Sequence, residues 1–148
     1  MDFKYNDGGR AAASYRGRAG DCVVRAIAIA TEKSYQEVYD AINALAPAER
    51  TRRSRRSCAR SGVGRTTYEC YLRQLCWEWV PTMQVGSGCQ VHLRTEELPK
   101  GRLVVRLSRH LTAVIDGVIH DIYNPDRRGS RCAYGYFKPA QSHRETEK

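Results

Sequence analysis

Hydrophobic positions along the chain change period near its middle, from helical spacing to strict alternation. Between Cys22 and Thr31 almost every residue is apolar, in the run Cys22-Val23-Val24-Arg25-Ala26-Ile27-Ala28-Ile29-Ala30, which predicts a helix buried at the centre of the domain. Gly20-Asp21 ahead of it is a turn-and-cap pair of the kind that starts helices. Glu32-Lys33 break the run, and Ser34 followed by Glu37 has the form of a capping box. The helix it opens carries Tyr35, Val38, Tyr39, Ile42 and Leu45 on one face and stops at Pro47. A second box, Thr66 with Glu69, predicts a third helix with Tyr68, Tyr71, Leu72 and Leu75 inward.

From Trp77 the spacing becomes that of strands. Trp77 to Pro81 alternates and is aromatic, and Cys89 to Leu93 reads as a short extended piece. Three β-rich runs follow, Arg102–Leu107, His110–Ile115 and Val118–Tyr123, separated by Ser108-Arg109 and Asp116-Gly117. The second separator is a strong signal for a type I′ hairpin. Ala133 to Phe137 is expected to add an edge strand. Helices first and strands afterwards give an α+β fold, N-terminal helices packed on an antiparallel β-meander. Residues 1–19 read as an irregular arm, 20–138 as a single domain and 139–148 as a polar tail.

Composition narrows the class. A chain of 148 residues with 41% hydrophobic positions is long enough to bury a core. No apolar run reaches membrane-spanning length, and the first residues lack a basic-then-apolar leader, so a cytoplasmic chain without membrane contact is expected. The six cysteines, at 22, 58, 70, 76, 89 and 132, then read as reduced thiols. Cys70 and Cys76 on one helix lie about 120° apart around its axis, so with Cys89 and His92 they do not converge on one ion. Neither metal nor cofactor is expected.

The net charge of +9 concentrates in seven arginines between Arg50 and Arg65. Arg50, Arg52, Arg53, Arg55 and Arg56 form a run able to attract nucleic acid or an acidic partner weakly and in a salt-sensitive way. No aromatic residue is interleaved to stack on bases, so a solvated loop accounts for it equally. Gly62-Val63-Gly64 is too short for a phosphate loop.

The candidate chemistry lies elsewhere. A cysteine in an apolar run is ordinarily a small core residue, but Cys22 stands at a helix N-terminus, where the helix dipole favours thiolate. If Asp116-Gly117 is a two-residue turn, Ile115 pairs with Val118 and Thr112 with Asp121. Alternation then puts His110, Thr112, Val114, Ile119, Asp121 and Tyr123 on one sheet face, with His110 and Asp121 diagonal neighbours. That is a base with its orienting carboxylate, and Cys22 supplies a nucleophile for it. Asn124 is the alternative orienter, given a bulge before Pro125. His120 reads as a core or edge histidine, and His92 and His143 have no assigned partner.

These two blocks, Asp21-Cys22-Val23-Val24-Arg25-Ala26 and His110-Leu111-Thr112-Ala113-Val114-Ile115 through to Asp121, resemble the papain-like cysteine peptidase superfamily, and most of all its small bacterial and phage-encoded members. The resemblance implies a helical part packed on an antiparallel sheet with a site between them. It also implies Cys22 as nucleophile, His110 as base and then acid, and Asp121 as orienter. The expected activity is cleavage of an amide, peptide or isopeptide bond in a protein or peptide substrate. One departure is visible: no glutamine precedes the cysteine to help hold the oxyanion, leaving the Cys22 N–H with Asn6, Tyr15 or Arg16 as candidate donors. A catalytically idle papain-like domain, binding nucleic acid or an acidic partner through the arginine run, is the rival expectation.

Overall fold

The computed structural model describes residues 1–17, 19–48 and 57–141. Arg50, Arg52, Arg53, Arg55 and Arg56, and His143 in the polar tail, lie outside the described residues.

The centre of the structure is helix α1 (Cys22–Thr31), laid across a six-stranded, mostly antiparallel sheet. In chain order the other elements are β1 (Asp2–Tyr5), α2 (Tyr35–Leu45), α3 (Arg65–Gln74), β2 (Trp77–Pro81), β3 (Val91–His92), β4 (Arg102–Leu107), β5 (His110–Ile115), β6 (Val118–Asp121), β7 (Cys132–Ala133) and β8 (Gly135–Pro139). The sheet runs β1-β6-β5-β4-β8-β2, while β3 and β7 form a separate two-stranded ladder. The α+β layering follows the change of period in the sequence.

The sheet is covered on both faces. Val23, Val24, Ile27 and Ala30 of α1 pack with Val38 and Ile42 of α2, Leu72 of α3, and Val104, Leu111, Ala113 and Phe137 of the sheet. On the opposite face Leu103, Val105, Leu107, Val114 and Ile119 bury against Leu93, Leu98 and Ala133. Two-sided burial explains why β4 and β5 read as near-continuous apolar runs.

The hairpin that carries the site forms in the expected register, Ile115 opposite Val118 and Val114 opposite Ile119. Asp116 and Gly117 both have positive φ, 48° and 80°, as a type I′ turn requires. Asp116 Oδ1 accepts from the Gly101 N–H at 2.8 Å, tying the turn to the start of β4. Ser34 caps α2 by accepting from the Glu37 N–H at 3.1 Å.

Five expectations need correction. Residues 2–5 of the supposed irregular arm form β1, parallel to β6 at the sheet edge. All four are exposed, so main-chain pairing holds this strand with little burial to mark it in the sequence. The run near Ala133 splits into β7 and β8, and β8 lies inside the sheet between β4 and β2, leaving β2 as the edge. The last β-rich run of the hairpin stops at Asp121, where the chain turns away towards Pro125. The box at Thr66 does not form: α3 begins at Arg65 after Gly64, Thr67 is buried, and Glu69 pairs with Arg65 one turn back. Cys89 and Cys132 are joined by a disulfide with Cα atoms 5.8 Å apart, which corrects the reading of all six thiols as reduced. The pairing of His92 with Cys132 brings the segment before β3 over that cysteine, a contact across 43 residues with no local sequence signal. Among the described residues, no helix is long and apolar enough to cross a membrane.

Candidate active site

Cys22 is the first residue of α1 and is partly buried. Asp21 stands at the N-cap, yet its side chain does not cap the helix. Its carboxylate turns inward instead, pairing with Arg25 one turn on, accepting from the Tyr35 hydroxyl at 2.6 Å and approaching Arg10 Nε at 3.1 Å. The carboxylate that a cap would have offered is committed to burying Arg25. The Asp21 side chain therefore leaves the first-turn N–H groups beside the thiol uncapped.

His110 opens β5 immediately after Arg109, whose φ of 54° closes the β4–β5 turn. Its Nε2 lies 2.7 Å from Asp121 Oδ2 at the end of β6. An ionised carboxylate only accepts, so Nε2 carries the proton. With Nε2 committed to Asp121, Nδ1 is the ring nitrogen left for the Cys22 side chain, whose interaction with the imidazole lowers the thiol. Cys22, His110 and Asp121, the first and last of them 99 positions apart, are thus brought into one row.

Asp121 is fixed from several sides. The Thr112 hydroxyl donates to Oδ2 at 2.7 Å, and the Ile122 N–H donates to Oδ1 at 2.7 Å. Arg25 Nη2 lies 3.7 Å from Oδ1, so the two carboxylates Asp21 and Asp121 share one buried guanidinium. The Tyr123 ring leans against the imidazole with centroids 5.3 Å apart. Asp121 is 3% exposed and His110 9%, so the pair works largely out of water.

This arrangement sets the protonation states. Burial pushes the Cys22 thiol up, but the hydrogen bond and charge of His110, the Leu111 N–H and the charge of Arg25 outweigh it and leave the thiol below its ordinary value. Burial likewise opposes charge on His110, yet the hydrogen bonds to Asp121 and Cys22 raise it to about 9. For Asp121 burial is outweighed by the His110 hydrogen bond and charge, and its carboxyl lies below the usual range. The combination favours a thiolate–imidazolium pair held by a carboxylate.

The other candidates fall elsewhere. Asn124 is exposed and its Oδ1 accepts from the Asp126 N–H at 3.0 Å, so it is not the group facing His110. Of the possible oxyanion donors, the Asn6 side-chain oxygen accepts from the Gly8 N–H at 2.9 Å. The Tyr15 hydroxyl donates to Gln36 at 2.8 Å while its ring packs against Tyr35 and Tyr39. The Arg16 carbonyl accepts from Arg10 and Arg60. His120 is half-buried on β6, one strand in from the sheet edge, with its Nδ1 3.5 Å from the Asn6 amide. His92 contacts Glu97 at 3.2 Å.

Four contributors escaped the sequence reading. Arg25 was visible only as an i,i+4 partner of Asp21 inside an apolar helix. Alternation along the expected strands put Thr112 and Tyr123 on the face of His110, and that was the available signal, although the strand itself ends at Asp121. The Leu111 N–H carries none, because every residue has one.

No family model matches this chain, and neither a curated protein nor a solved structure matches it.

Proposed function

We propose that the chain is a papain-like cysteine hydrolase that cleaves an amide bond, peptide or isopeptide, through a thioester. The observation that carries this reading is the juxtaposition of Cys22, His110 and Asp121, with His110 Nε2 2.7 Å from Asp121 Oδ2, at a helix start that Asp21 leaves uncapped.

In the first half-reaction the Cys22 thiolate attacks the carbonyl carbon and an S–C bond forms. Negative charge moves to the carbonyl oxygen, where the Cys22 N–H at the helix N-terminus is placed to donate. His110, protonated at the outset, passes its Nδ1 proton to the leaving amine as the C–N bond breaks. In the second half-reaction the now neutral imidazole takes a proton from water. The resulting hydroxide adds to the thioester carbon, and the thiolate leaves as the acid product forms. Asp121 keeps Nε2 protonated and the ring aimed at the sulfur throughout. Thr112, Arg25 and the Ile122 N–H hold that carboxylate ionised and in place.

Acyl-enzyme trapping tests the reading. Incubation with a library of peptide amides or thioesters, acid quench and intact mass measurement is expected to show an acyl adduct on Cys22 in wild type. Cys22→Ala is expected to show none. Adducts of equal yield in both proteins would overturn the assignment of the nucleophile.

A further inference from the structure

An open cleft of about 620 Å³ lies among Arg65, Trp79, Met83, Arg106 and Tyr134. Its position relative to Cys22 follows from the strand register. Arg106 on β4 is directly opposite Leu111 on β5, and residues so paired point to the same face. Leu111 belongs to the core beneath α1, against which Cys22 packs, and its backbone N–H is among the groups that lower the Cys22 thiol. Phe137 packs on Trp79 with centroids 4.8 Å apart and meets Tyr68 edge-on at 6.0 Å, within the core that Cys22 also packs against. The cleft therefore lies on the helix side of the sheet, the side on which Cys22 packs.

The walls are aromatic and the charge is positive. Gly135 leaves room for the Trp79 ring: a Cβ there would collide with the indole and come 2.8 Å from the Val80 carbonyl oxygen. The Arg65 guanidinium sits over that ring at 5.4 Å from its centroid and also pairs with Glu69. Arg106 lies over the Tyr134 ring at 5.7 Å. Arg106 is half-buried, and no carboxylate among the described residues pairs with it. A guanidinium stacked on an aromatic face keeps its in-plane N–H groups free for bidentate contact with a carboxylate.

We propose that this cleft receives a carboxylate of the substrate close to the scissile amide, with Arg106 as its main ligand, Arg65 at the rim, and Trp79 and Tyr134 as walls. The inference rests on Cys22 being the nucleophile of the proposed hydrolase. An acidic side chain and a free chain terminus present the same group, and the test separates them.

The probes are peptidyl fluoromethyl ketones identical except for Glu or Gln beside the reactive carbon, with labelling of Cys22 followed by mass spectrometry. The Glu probe is expected to label wild type ~10-fold faster, as charge-assisted hydrogen bonding predicts. That preference is expected to shrink as salt rises, a readout that needs no variant. Arg106→Met is expected to bring the Glu rate down to the Gln rate. A second matched pair, ending in a free α-carboxylate or its methylamide, assigns the cleft to a chain terminus if it alone shows the preference. Equal rates within both pairs, at a Cys22 that still labels faster than Cys70, would overturn the carboxylate cleft and leave the hydrolase standing. No fast labelling of Cys22 by any probe would overturn both.

Discussion

Asp121 decides what His110 does, because the same carboxylate oxygen accepts from both the imidazole and Thr112. Asp121→Asn keeps a group of the same size but removes the charge that raises His110. The imidazolium is then expected to lose its proton at lower pH than the value of about 9 in wild type. An NMR titration of the His110 ring measures this directly. Thr112→Val removes one hydrogen bond and is expected to cost about 1–2 kcal/mol in denaturant unfolding, leaving the row itself in place. Asp21→Ala is a harsher change, since it leaves Arg25 buried without its closest counter-charge. A loss of about 3–5 kcal/mol is expected from chemical denaturation. At this scale the sequence was informative about residue type and face: Cys22, His110 and Asp121 were legible. The work of Asp21 was not, because a capping carboxylate and a buried ion-pair carboxylate have the same local pattern, and only the position of Tyr35 and Arg10 in space separates them.

At the level of elements, the β5–β6 hairpin sets the distance between His110 and Asp121, and its two-residue turn sets the hairpin. Gly117 takes φ of +80°, and a Cβ there would lie 2.7 Å from the Thr95 methyl. Gly117→Ala is therefore expected to destabilise by about 1–2 kcal/mol, read as a fall in melting temperature. The limits of β2, β4 and β5 were legible to the residue, because alternation and turn residues agreed there, and the Ser34 cap marked the start of α2, which ends at Leu45, two residues before Pro47. Elements that sequence reading missed or misplaced share a different trait. β1 is held by main-chain pairing with exposed side chains, and β8 enters the sheet beside β4, a strand thirty residues earlier. Arg102 offers a further case: from β4 beneath the helix it donates to the Ala30 and Ile29 carbonyls at the end of α1, supplying the basic residue that the last turn of the helix itself lacks.

The molecule as a whole is an α1-centred stack with a core on each face of its sheet, and its pH dependence follows from the buried row. His110 is raised from 6.5 to about 9, so the stability it contributes is complete below 6.5 and is lost as pH rises through 9. Asp121 is lowered, so its contribution is present above 3.8 and is lost as pH falls through its folded-state value. The stability gap between wild type and His110→Gln is accordingly expected to narrow between pH 6.5 and 9, measured by urea unfolding at stepped pH. The Cys89–Cys132 bridge closes a segment separated by 43 positions. Reducing it is expected to cost about 4 kcal/mol by the chain-entropy argument, seen as a lower melting temperature with dithiothreitol. Neither this bridge nor the cleft at Arg106 was legible, because both depend on which distant strands become neighbours.

The central claim is that Cys22 and His110 form a thiolate–imidazolium pair, and the pH dependence of alkylation addresses it most directly. Each cysteine is followed by mass spectrometry after brief exposure to iodoacetamide, with Cys70 and Cys76 as internal references. Cys58, whose thiol is also lowered, by hydrogen bonds from Ser61 and the Arg60 N–H, serves as the control that owes nothing to His110. The account predicts that Cys22 reacts fast well below pH 9 in wild type, loses this in His110→Ala, and leaves the Cys58 profile unchanged between the two proteins. A Cys22 profile that matches Cys70 and Cys76, or one that His110→Ala does not move, would contradict it.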